Sequence, residues 1–306
     1  MDLAKGEVWG KSMGNGKDGI KVGLVLEGGS MRGMYTAGVL DTFMDEGIEI
    51  DGIIGVSAGA LFGPNYFSGQ KGRVIRYNKR FCRDRRYMSL LSFLLTGNII
   101  SKKFAFYDVT SKYDIFDNET FMKNNTGYYA TVTNVETGQP EYFEMKDIVG
   151  EMEVLRATSA IPFVSRMVKI DGKKYLDGGI ADSIPVLKCR QLGYDKVIVV
   201  LTRPVEYRKK PLSRGMVKLL KARYGKYPRF METMKNRYLA YNETVETILE
   251  MEARNEIFVI RPSEGIHVKT VERDADKLQA VYDLGIRDCK ERVDALKQYL
   301  AARWKE

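Results

Sequence analysis

"GIIGVSAGALFG", residues 52–63, is the stretch on which the reading of this chain turns. An apolar, β-branched run enters Gly55-Val56-Ser57-Ala58-Gly59, and a small-residue segment leaves it. A serine set between glycines, after a strand and before a helix, is lifted onto a sharp turn with its hydroxyl exposed, as a nucleophile requires. Upstream, "IKVGLVLEGG" (20–29) predicts a buried strand ending in a glycine turn. "MYTAGVLDTFMDEG" (34–47) predicts a helix with Val39, Leu40 and Phe43 on one face and Gly47 as its stop. Strand, helix, strand, helix predicts an α/β fold of three layers, a mostly parallel central sheet flanked by helices.

The pattern continues outward. Residues 127–145 read as two strands around an "ETGQP" turn, and "EVLRATSAIP" as a helix ending before Pro162. "KKYLDGG" reads as a strand stopping at Asp177, and 195–204 and 256–263 as further apolar strands. Between those two, Met231, Met234, Tyr238, Tyr241, Val245 and Ile248 alternate steps of three and four, an apolar stripe docked on the core. Val271 to Trp304 reads as helical. The expected organisation is a flexible lead-in over 1–19 and a catalytic core over 20–205. Within the core, 85–125 is either a cap or lid or ordinary helical packing. A helical and strand part over 206–306 packs on the same domain.

Composition narrows the class. The chain has 306 residues, 44% of them apolar, enough for a sizeable core. Its opening is polar and Gly-rich, without the apolar centre of a secretory signal. No run approaches the roughly 18 apolar residues of a membrane span. Cys82, Cys189 and Cys289 are an odd count without metal-ligand spacing. They read as small buried hydrophobes, reduced in a cytoplasmic protein. No metal or cofactor is expected. The net charge is +9. Part of the excess lies in "KGRVIRYNKRFCRDRR" (71–86) and part in the stretch from Arg203 to Arg229. Each run alone reads as a solvated helix face, but two of them flanking the core also fit an anionic surface, and with no nucleic-acid motif that partner is expected to be the anionic inner face of a membrane, touched peripherally.

Two further motifs accompany the serine. "EGGSMRG" (27–33) lies between a strand and a helix, where glycines let backbone N–H groups converge on an anion. That anion is either a nucleotide phosphate or the oxyanion of acyl transfer. The motif lacks the ending of a P-loop, and no ribose-binding acid follows the second strand, so the nucleotide reading loses ground. "YLDGGIADSIP" (175–185) ends a strand on Asp177, followed by Gly178 and Gly179. A carboxylate there can share the sheet rim with Ser57.

In this order, EGGSMRG, GVSAG and DGG, joined by "ATSAIPFV" (157–164), resemble the patatin-like phospholipase family. The resemblance spans about residues 20–205. It implies a Ser57–Asp177 dyad acting on a lipid acyl ester, with no histidine. It also implies an oxyanion hole at Gly28, Gly29, Ser30 and Arg32, with Ala58 as a further donor, and motif glycines Gly33, Gly55, Gly59, Gly178 and Gly179. Ser30 departs from the glycine common at that position, yet a serine still supplies a backbone N–H. The residues argue independently for the dyad, because the single histidine, His267, lies far from every motif. Arg32 either orients the turn, meets a substrate phosphate or pairs with an acid. The expected function is therefore a serine acyl hydrolase. A transacylase shares its chemistry as far as the acyl-enzyme, and a non-catalytic lipid- or nucleotide-binding module is the rival from another class.

Overall fold

A computed structural model describes residues 19–124 and 126–302. Apart from Gly19, the expected lead-in over 1–19 lies outside the described residues. β1 (Val22–Leu26) leads through a 3-10 turn (Ser30–Arg32) into α1 (Gly33–Asp45). β2 (Gly52–Val56) turns at Ser57 into α2 (Ala58–Phe62) and α3 (Pro64–Phe67), followed by α4 (Arg73–Phe81). Residues 85–125 hold α5 (Leu90–Thr96), a π-helical stretch (Lys102–Tyr113) and α6 (Asn118–Lys123). β3 (Gly127–Asn134), β4 (Pro140–Glu144), α7 (Met152–Thr158), β5 (Val168–Ile170) and β6 (Lys173–Asp177) follow. The rest is α8 (Val186–Gln191), β7 (Lys196–Val200), α9 (Arg214–Tyr224), α10 (Pro228–Ala253), β8 (Ile257–Ile260) and α11 (Ala275–Ala301).

The fold is α/β, and among the described residues all eight strands form one sheet. β3, β2, β1, β7 and β8 run parallel, while β4, β5 and β6 pair antiparallel. Residues of β1 alternate between its faces. Leu24 and Leu26 join Ile53, Met34 and Phe43 in one core. Val25 joins Ile54, Val199, Val245 and Ile248 in another. The sheet is thus the middle of three layers. α11 seals one face. A Cβ on Gly38 would lie 2.2 Å from the Tyr282 carbonyl oxygen, and one on Gly285 2.2 Å from that of Tyr35, so α1 and α11 cross backbone to backbone. The last turn of α11 is pinned by the buried Lys196 ammonium, which donates to the carbonyls of Tyr299 (2.6 Å) and Leu300 (2.8 Å).

The register of β3 positions the site. β4 pairs with β3 over Tyr129–Thr133, and β2 takes the opposite edge as far as Val56↔Thr131. There β2 stops, and β6 continues along that same edge from the other direction, with Asp177↔Val132 as its first pair. Consecutive residues of β3 therefore hold the end of β2, next to Ser57, and the end of β6, at Asp177.

Three local expectations shift. The helix expected to run to Pro162 ends at Thr158. The residues ahead of a proline avoid helical backbone, and the Ala160 carbonyl is instead taken by the Asp177 N–H at 3.0 Å. The C-terminal helix starts at Ala275 rather than Val271, because the Asp274 side chain caps it by accepting from the N–H groups of Asp276 and Lys277. β5 is additional to the strands read from sequence. Its signal is the Asp171-Gly172 pair, both at positive φ (47° and 80°), which forms a two-residue turn into β6.

Candidate active site

Ser57 sits between the last residue of β2 and the first of α2, with φ +53° and ψ −120°. A non-glycine residue there stores roughly 1–3 kcal/mol of backbone strain, a cost that persists only where the surroundings hold it. The holding group is Thr158, whose hydroxyl accepts the Ser57 N–H at 2.9 Å and donates to the Thr131 carbonyl at 2.5 Å. Sequence reading picks out its segment but gives Thr158 itself no role. Gly28 packs directly on Ser57, since a Cβ at that position would come within 3.0 Å of both the Ser57 Cβ and the Val56 carbonyl oxygen.

Asp177 is tied on every side. Its carboxylate accepts the Gly179 N–H at 2.8 Å, and its carbonyl accepts the Thr133 hydroxyl at 2.8 Å. Burial pushes its carboxyl above the usual carboxylate range. The neighbouring Ser57 hydroxyl, the Arg237 charge, the Gly179 N–H and the Lys209 charge pull it partly back. Ser57 and Asp177 both line the larger cavity described below, each only 8% exposed. His267 is exposed and lines neither cavity at the site.

The glycine-rich turn lies alongside. Among the described residues, the N–H groups of Gly28, Gly29, Ser30 and Ala58 donate to no group of the chain. Arg32 does not join them as a backbone donor, because its N–H is spent on the Gly29 carbonyl at 3.1 Å. Arg32 is among the residues that line the larger cavity. Ser30 adopts φ +51°, the backbone that favours the glycine it replaces, and its hydroxyl donates to the Thr270 carbonyl at 2.9 Å. Gly33 opens α1, Gly55 and Gly59 flank the Ser57 turn, and Gly178 and Gly179 begin the 3-10 turn after β6.

Two cavities meet at Ser57, Ser30 and Ile161. The smaller, about 90 Å³, is mainly apolar, with Leu61, Phe62, Phe106, Val109, Met152 and Leu155 in its wall. Much of that wall comes from the segment between Tyr87 and Phe116. The larger, about 360 Å³, receives Arg32, Arg203, Lys209, Lys210, Lys235 and Arg237 against two carboxylates, Glu27 and Asp177. Glu27 is buried and fully engaged. It accepts the Thr202 N–H (2.6 Å), the Thr202 hydroxyl (3.1 Å) and the Tyr241 hydroxyl (2.9 Å). The stripe of α10 is therefore more than packing, because Met234, Tyr238 and Tyr241 also line this cavity.

The two basic runs have different fates. In 71–86, the buried Arg73 donates to the Asp114 carbonyl and to Asn65, and Arg76 pairs with the Asp114 carboxylate. Lys71 pairs with Asp45, Lys79 donates to Gln279, and Arg86 pairs with Asp84. Much of that charge is thus used within the molecule. The later run instead delivers Arg203, Lys209 and Lys210 to the cavity. Cys82, Cys189 and Cys289 are buried free thiols. Among the described residues no three His, Cys, Asp or Glu side chains gather as metal ligands, and no helix is long and apolar enough to cross a membrane.

The chain thus has an α/β sheet with a serine at a strand-to-helix turn, and an aspartate and a glycine-rich turn that line a cavity with it. The patatin-like phospholipase profile matches residues 24–189, more than half of the chain, and the chain belongs to that family. A second profile, a domain of unknown function (DUF6363), matches residues 227–301. The chain is 32% identical over 188 residues to the uncharacterized protein YjjU of Escherichia coli, covering 60% of this chain and 52% of YjjU. It is 27% identical over 187 residues to the lysophospholipase nte1 of Aspergillus oryzae, covering 60% of this chain and 12% of that protein. It thus spans about half of one relative and a small part of the other. Among solved structures, VipD from Legionella pneumophila aligns with a TM-score of 0.43 and 11% identity, over 96% of this chain and 72% of that one.

Proposed function

We propose that this chain is a serine acyl hydrolase acting on lipid esters, with Ser57 as nucleophile and Asp177 as proton acceptor. The supporting observation is the junction itself. Ser57 and the buried Asp177, whose basicity burial raises, line one cavity beside unspent N–H donors, where an apolar cavity meets a polar one. Family membership and the lysophospholipase relative support lipid hydrolysis as the activity.

In this reading Asp177 takes the Ser57 proton as Oγ attacks the ester carbonyl. The N–H groups of Gly28, Gly29, Ser30 and Ala58 hold the oxyanion. Asp177 returns the proton to the leaving alcohol, which departs as the acyl-enzyme forms. Water then gives a proton to Asp177 and attacks the acyl carbon, and Ser57 recovers its proton as the fatty acid leaves. Residues 20–205 carry the chemistry, 85–125 cap the acyl cavity, and the part from 206 onward packs on the same domain. A cytoplasmic location belongs to the same proposal.

A fluorophosphonate probe tests the assignment. It should label the wild-type chain and leave Ser57→Ala unlabelled, and absence of wild-type labelling would favour a binding module. Product analysis with an acceptor lipid present separates hydrolase from transacylase, and free fatty acid is the expected product.

Peripheral contact with an anionic membrane is part of the proposal, carried by α5. Leu90, Leu94 and Leu95 are 68%, 71% and 75% exposed, close in sequence to the exposed Arg85 and Arg86. Replacing Leu94 and Leu95 by Asp should lower sedimentation with anionic vesicles about tenfold, the scale of burying one or two leucines. Unchanged sedimentation would remove α5 as the contact.

A further inference from the structure

The larger cavity carries more positive charge than the hydrolysis of an ester needs. Among the described residues none of its six cations forms an ion pair, although Arg73, Arg76, Arg190, Arg208 and others elsewhere in the chain do. One carboxylate in the cavity, Glu27, is already engaged by three donors, and the other, Asp177, sits beside Ser57.

Three of them are nonetheless held in place. Arg237 Nε donates to the Gly179 carbonyl at 2.6 Å. The Lys209 ammonium lies 4.0 Å from the Tyr241 ring centroid, and its backbone is clamped to Asn242 in both directions (2.8 and 3.1 Å). The Arg203 guanidinium stacks 4.2 Å over the Tyr207 ring. Arg32 Nε is buried without a partner. Like charges gathered this way repel. Burial and Arg237 push the Lys209 ammonium down to about 7, and burial and Arg203 push Arg32 down. A fixed cluster of unpaired cations is the electrostatic complement of an anion.

We propose that this basic half-cavity binds the phosphate of an acyl ester substrate whose polar half bears net negative charge and no compensating ammonium. It rests on the reading of Ser57 as nucleophile, which lays the substrate across the junction with its acyl chain in the apolar cavity. Five of the six cations, Arg203, Lys209, Lys210, Lys235 and Arg237, lie outside the matched phospholipase core. Lys235 and Arg237 belong to the domain of unknown function, which thereby gains a role in completing the headgroup site.

Binding is measured by calorimetry on the Ser57→Ala chain, with short-chain lysophosphatidic acid and lysophosphatidylcholine of equal acyl length. The anionic lipid should bind at least about tenfold more tightly, the scale of one charge-assisted hydrogen bond. Adding Arg203→Gln and Lys209→Gln should erase most of that preference. Lys210→Gln with Lys235→Gln, both exposed side chains whose loss spares the fold, should lower it as well. Equal binding of the two lipids, or a preference untouched by both pairs, overturns the proposal. Inorganic phosphate binding as tightly as lysophosphatidic acid also overturns it, since the site would then serve free phosphate. Because this chain lacks the Ser57 hydroxyl, the result stands apart from whether that hydroxyl reacts.

Discussion

Ser57→Ala and Asp177→Asn should each lose turnover of a p-nitrophenyl acyl ester by roughly ten-thousand-fold, the scale seen when one member of a hydrolytic serine constellation is removed. His267→Ala should hydrolyse like the wild type, and a dead His267→Ala would end the dyad reading. Asp177 acts as base only when ionised, so kcat/KM should fall as pH drops through a pKa above the ordinary carboxylate range. The same shift has a stability consequence. A carboxyl whose pKa is higher folded than unfolded contributes stability that is full below the unfolded value and lost as pH rises through the folded one. Asp177→Asn removes that loss. The inactive variant should therefore melt above the wild type near neutral pH, with the advantage vanishing in acid. A lower melting temperature at neutral pH would mean that the carboxylate is held more favourably than its burial implies.

Glu27→Ala should destabilise the chain by about 3–5 kcal/mol in chemical denaturation, because it strands several buried donors at once. The Thr202 N–H, the Thr202 hydroxyl and the Tyr241 hydroxyl all end on this carboxylate. Three elements lose their clasp together: the end of β1, the end of β7 and the middle of α10. Glu27→Gln keeps an acceptor oxygen and should cost clearly less. A wild-type denaturation midpoint for Glu27→Ala would show that water or rearranged neighbours satisfy these donors, and that α10 is held by its apolar stripe alone.

Much of the frame is legible in the sequence because its signals are local. The buried strand before Ser57, the small residues after it and the glycines around it are a backbone requirement written in consecutive positions. The Asp-Gly-Gly after Lys173–Leu176 is another. Thr158 is illegible for the opposite reason. Its hydroxyl matters through Ser57 and Thr131, distant in sequence, and nothing in "ATSAIP" distinguishes it from Ser159. Tyr241 shows a different limit. Periodicity places it on the inward face of a helix, and it is inward. A period cannot say that a ring on that face carries its hydroxyl to a carboxylate some two hundred residues earlier. The basic runs show a third limit. Charge counted along the chain does not separate Arg73, which turns into the core, and Lys209, which lines the cavity, from the exposed Arg83, Arg85 and Arg86.

The meeting of β2 and β6 end to end on one edge of β3 makes an ordinary surface loop into a length gauge. Asp177 keeps its place opposite Val132 of β3 only if the Asp171-Gly172 connection delivers β6 in its present alignment. One residue more or fewer there would turn every β6 side chain to the opposite side and swing the acid away from its partner. That loop is thus held twice over, its span by the alignment of β6 at the far end of the strand and its residue types by the positive φ of Asp171 and Gly172.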